Sequence, residues 1–191
     1  MEQHSLSKLK LEIQLQAKNG IDFILSGGIL WLIIYFLWTL DYTSYNKSIL
    51  TFMVGAILLP LALGLSKILK TNWKVKDNPL QPLGLWLNFA QLIYFPFLIF
   101  VLIKYPNYFI MAYAIITGAH LFPYAWFYDE IGYAITAILI SVGSLLIALN
   151  VESEKIWFVP LFTSIMLFLF AGWIFIAFKK LKEKTLHNND L

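Results

Sequence analysis

The chain contains no cysteine and no arginine, and only 13% of its 191 residues are charged. Each absence removes a class of chemistry. Without cysteine there are no disulfides, no iron–sulfur cluster, no palmitoyl anchor and no thiol catalysis, and the redox compartment stays open. Without arginine the chain lacks the planar fork that grips phosphate and carboxylate bidentately, which argues against nucleic acid and nucleotide partners. The scarcity of charge excludes most. Soluble domains carry about 25% charged and about 45–50% apolar residues, whereas here 60% are hydrophobic. That excess does not fit inside one soluble core of this size, so lipid is the solvent for most of the chain.

What is present is a series of apolar runs. Six reach the roughly 20 residues needed to cross a bilayer: 21–40, 48–69, 83–104, 107–128, 131–150 and 156–178. They predict an all-α integral membrane bundle of six transmembrane helices over 21–178, between an N-terminal segment, 1–20, and a basic tail, 179–191. In the N-terminal segment Leu6, Leu9, Ile13 and Ala17 share one helical face, although Leu9, Leu11, Ile13 and Leu15 also alternate as a strand would. A lone strand at a membrane surface leaves backbone groups unpaired, so a short amphipathic helix at the interface is expected, breaking near Asn19–Gly20. No signal peptide is expected, because the first apolar run begins only at Ile21 and lacks a small-residue cleavage site.

Lysine counts set the expected orientation. With the N-terminus inside, eleven of the fourteen lysines fall on inner segments, and only Lys47, Lys104 and Lys155 on outer loops. Both termini are therefore expected in the cytoplasm, in a multi-pass protein of the plasma membrane. Lys70, Lys74 and Lys76 with Trp73 make a basic aromatic loop suited to anionic lipid headgroups. Prolines at 60, 96, 123 and 160 each remove a backbone donor within a span. Gly132, Thr136 and Gly143 on the fifth span, and Ser26, Gly27 and Gly28 on the first, mark expected packing seams.

Four stretches, LEIQLQAKNGIDFI, KDNPLQPLGLWLN, YFPFLIF and YAIITGAHLFPYAWFY, resemble a family of small bacterial polytopic membrane proteins filed as a domain of unknown function. The resemblance runs over most of the chain and is most distinctive in the third and fourth spans. It implies a bacterial inner-membrane protein, and it brings no activity, cofactor or site residue with it.

The third and fourth spans are joined only by the Tyr105–Pro106–Asn107 turn, so they are expected to lie antiparallel. Folding them about that turn puts Gln91 and His120 at similar depth, each about fifteen residues away. Tyr113, Thr117, His120 and Tyr124 share one face of the fourth span, and Gly84, Asn88 and Gln91 one face of the third. His120 is the one histidine in an apolar run. Two polar stripes at matching depth face each other or a common cavity, because facing lipid would cost each group several kcal/mol. Pro123 is expected to leave the carbonyl of Ala119 as a free acceptor beside His120. The plainest reading is that His120, Gln91 and Asn88 staple the two spans by hydrogen bonds, each of about 0.6–2 kcal/mol. The alternative is a pocket for a small polar ligand, lined by these three with Thr117, Tyr113 and Tyr124.

No second ligand stands at helical spacing from His120, and His4 and His187 lie in the tails, so no metal site and no cofactor is expected. The functional expectation is a non-enzymatic binder or carrier of a small solute, with its pocket between spans three and four. A second reading is an accessory protein docking to another membrane protein through small residues of the fifth span. A lipid-modifying enzyme comes third, since the serines of the spans have no base at a readable spacing.

Overall fold

A computed structural model describes residues 2–189; the expected boundaries at 1 and 191 and the side chain of His4 lie outside the described residues. The fold is all-α, and six of its helical stretches are long and apolar enough to cross a membrane. This is a multi-pass membrane protein. Helix α1, Glu2–Ala17, is followed by a tight turn, Lys18–Gly20, whose three residues all take left-handed φ values of 47°, 54° and 70°. That turn kinks the chain between α1 and span one, α2, Ile21–Thr39.

Proline shapes the next three spans. Span two is split into α3, Ser44–Gly55, and α4, Leu58–Leu69, four residues upstream of the Pro60 ring. Span three breaks ahead of Pro96 into α5, Gln81–Leu92, and α6, Phe95–Lys104. Span four breaks at Pro123 into α7, Phe109–Leu121, and a single turn, α8, Tyr124–Phe127. In each case proline cannot donate to the carbonyl four residues back, and the helix resets. The expectation of a free Ala119 carbonyl is corrected here: it accepts the Phe122 N–H at 3.2 Å as the turn tightens. Pro160 breaks nothing, because it sits in the first turn of span six, where the N–H has no intrahelical partner. Span five is α9, Gly132–Asn150, and span six is α10, Phe158–Asn189, whose helix runs straight on through most of the basic tail.

Small residues decide which spans meet. Gly28 lets α2 approach α10 so closely that a Cβ there would stand 3.1 Å from the Phe168 ring, and Ser164 donates across the seam to the Gly28 carbonyl at 2.9 Å. On α9, Cβ atoms at Gly132 and Gly143 would meet Phe170 at 2.9 Å and Phe162 at 2.5 Å. The small-residue stripe of span five is thus filled by rings of span six. Spans one, four, five and six form the core. Spans two and three stand at its side: α4 buries only Ala62, and α5 buries no residue.

Helix α1 closes the end of the bundle that also carries the 70–80 loop. Its buried face, Ile13, Gln14 and Ala17, lies against protein. Gln14 donates its side-chain amide to the Tyr128 carbonyl, Asn78 donates to the Leu9 carbonyl and to Glu12, and the Asn72 N–H donates to the Gln16 carbonyl at 2.9 Å. Helix and loop together form a floor.

Candidate functional site

Above that floor lies a cavity of about 330 Å³. It is bounded by α2, by α4 and α5, and by α7 and α8. All six residues of the expected pocket, His120, Gln91, Asn88, Thr117, Tyr113 and Tyr124, line it. The cavity is wider than the interface of spans three and four, however, and span one and the loop at 72–75 supply much of its wall. Its size falls within the range of small-molecule sites, about 300–1,000 Å³.

The polar groups on spans three and four do not bond to one another. Among the described residues no hydrogen bond joins Gln91 to His120, and the ring nitrogens of His120 have no protein partner. The imidazole instead stands edge-on to the Tyr124 ring, 5.4 Å between centroids. Asn88 Nδ2 donates to the Gly84 carbonyl at 3.1 Å, and Thr117 Oγ1 to the Tyr113 carbonyl at 2.9 Å, each bond closing within its own helix. Among the described residues the one hydrogen bond between the two stripes comes from the Tyr124 hydroxyl, which donates to the same Gly84 carbonyl at 3.2 Å. Since Gln91 and His120 share no bond, Gln91→Leu and His120→Leu should cost stability additively, to within about 0.5 kcal/mol. Thermal melts of the two single variants and the double variant check this, and a double variant much more stable than the sum predicts would show a direct bond.

The strongest electrostatic feature of the cavity comes from span one, and the sequence reading passed over it. Asp22 is 1% exposed and lines the cavity. It occupies the first turn of α2, where the helix dipole favours an anion. Its Oδ2 accepts the Thr71 hydroxyl at 2.6 Å and the Trp73 indole N–H at 2.5 Å, while Oδ1 accepts the Phe23 N–H at 3.0 Å. Trp73, grouped with the loop lysines by sequence, therefore turns its indole inward, its ring 4.6 Å from that of Phe23. Lys70, Lys74 and Lys76 are exposed on the same loop. A signal for Asp22 did exist: it is the one carboxylate within the six apolar runs, and an isolated intramembrane acid marks a candidate site.

Aromatic rings complete the wall. Trp31 stacks on Tyr113 at 5.4 Å, and Tyr124, Tyr128 and Tyr133 stack in a group with centroids 5.5–6.0 Å apart. The Tyr133 hydroxyl donates to the Asn19 carbonyl at 2.6 Å, fixing the left-handed turn below α2 to span five. Asn72 and Lys74 both line the cavity and are exposed, so it reaches the surface at the loop.

A family model described as a family of unknown function (DUF7010) matches residues 6–177, and the chain belongs to that family. No curated protein and no solved structure matches the chain.

Proposed function

We propose that this member of the family is a non-enzymatic binder or carrier of a small solute in the bacterial inner membrane. One observation carries the reading: the polar stripes of spans three and four line a common void, and Gln91 and His120 are not spent on each other. In this reading both termini and the 70–80 loop face the cytoplasm, supported by the eleven-to-three distribution of lysines. Lys70, Lys74 and Lys76 would then meet anionic headgroups, and the cavity would be served from the cytoplasmic side beside them.

The docking reading has less support, because rings of span six occupy the small-residue stripe of span five. The enzymatic reading needs a titratable partner within hydrogen-bond reach of His120, and among the described residues its one close ring contact is Tyr124.

The chain's lack of cysteine makes a direct test simple, since His120→Cys introduces the sole thiol. A membrane-impermeant thiol reagent should label it in inside-out vesicles and leave it untouched in right-side-out ones. Labelling from the outer side alone would reverse the orientation. Protection from both sides would remove the binder reading.

A further inference from the structure

We infer that the cavity takes an organic cation, a quaternary or protonated amine on a compact apolar body; this rests on reading the cavity as a solute site. The first argument is charge. Asp22 is buried at the cavity wall, and the donors it accepts from, Thr71, Trp73 and a backbone N–H, are all uncharged. Among the described residues the one ion pair is Lys155–Glu152, at the other end of the bundle. Of the neighbouring cations, Lys18 gives its ammonium to the Leu69 carbonyl at 2.6 Å, and Lys74 stands at the exposed mouth of the cavity without forming an ion pair with Asp22. The three donors orient the carboxylate without balancing its charge. A negative charge in an apolar surround is satisfied best by a cation brought to it.

The second argument is the wall. Trp31, Tyr113, Tyr124 and Trp73 line the cavity, and aromatic rings attract cations most strongly where water is excluded. The third is hydrogen-bond polarity. Asn88, Thr117 and Tyr124 each spend a donor on a backbone carbonyl and keep oxygen lone pairs, while Gln91 and His120, which can accept as well as donate, remain unspent on the same wall. With no arginine in the chain, an anion would lack its usual clamp.

The test uses the full chain in nanodiscs of zwitterionic lipid, with tryptophan fluorescence as readout, because Trp31 and Trp73 lie on the wall. Three probes of one shape are compared, each corrected against empty nanodiscs: phenyltrimethylammonium, its neutral carbon isostere tert-butylbenzene, and benzenesulfonate. The cation should bind about tenfold or more tighter than the isostere. Asp22→Asn keeps an acceptor oxygen for Thr71 and Trp73 and should erase most of that preference while leaving the isostere unchanged. Equal binding of cation and isostere overturns the inference and leaves the solute-binder reading standing. Tighter binding of benzenesulfonate overturns it in favour of an anion site. Quenching by none of the three overturns it as well, and thiol labelling at position 120 then decides whether the binder reading falls too. The wild-type comparison stands even if Asp22→Asn does not fold.

Discussion

Gly118→Leu should leave no folded protein in detergent extracts, and even Gly118→Ala should melt well below the wild type. Gly118 is buried where α7 crosses α9. A Cβ there would lie 2.6 Å from Ser141 Oγ, 3.0 Å from the Ala137 carbonyl and 3.0 Å from Ile140. The carbonyl belongs to helix backbone and cannot rotate aside, and Ser141 is held by its bond to the Ile115 carbonyl at 3.2 Å. The helices must therefore separate, in a seam that joins span four to the rest of the core. Overpacking by a methyl group costs about 1–3 kcal/mol, and a leucine forced into backbone costs more. Gly64→Leu is the matched control, since nothing lies within 4 Å of its added Cβ. Size-exclusion profiles and thermal melts of the three variants give the answer. A Gly118→Leu protein melting with the wild type would contradict the α7–α9 packing.

The second large effect concerns the floor of the cavity. Asp22→Leu should loosen the 70–80 loop, because it strands the Trp73 indole and leaves the Thr71 hydroxyl only Ser66 Oγ, 2.9 Å away, to donate to. The orphaned indole N–H alone costs about 1–3 kcal/mol. The loop carries Lys70, Lys74 and Lys76, so trypsin reports its opening directly. Cleavage there should accelerate severalfold in Asp22→Leu and only slightly in Asp22→Asn, which retains an acceptor oxygen. The remaining anchors, Asn72 to Gln16 and Asn78 to Glu12, should keep α1 and the core melting almost as before. Unchanged proteolysis in Asp22→Leu would show that the carboxylate does not hold the loop.

The parts of the molecule that can be read from sequence are those set by local composition. Six apolar runs of sufficient length state the spans, and the prolines at 60, 96 and 123 state where three of them break. Helical periodicity places Asn88 and Gln91 on one face and Tyr113, Thr117, His120 and Tyr124 on another. Periodicity cannot say what covers a face. An amphipathic helix at the interface would turn its apolar side to lipid, whereas Ile13 and Ala17 of α1 meet the bundle, because the pattern of a helix is the same beneath either cover. Nor does a local pattern join Asp22 to Thr71 and Trp73 across about fifty residues; seen alone, the loop is a run of lysines around a tryptophan. The order in which spans pack is equally non-local. It follows from glycines on α2, α7 and α9 meeting particular rings and carbonyls that no single stretch displays.

The exposed side of α5 has a consequence for how the cavity is separated from the bilayer. Leu85 lines the cavity and is nevertheless 55% exposed, and its neighbours Trp86 and Phe89 are 69% and 48% exposed. Along this helix there is no second layer of protein: one side chain touches the contents of the cavity and the acyl chains alike. Membrane thickness and chain order therefore act on the cavity at first hand, as its outer lining. An amphiphile lying in the cytoplasm-facing leaflet, in the orientation proposed here, would be separated from the cavity by a partition one residue deep.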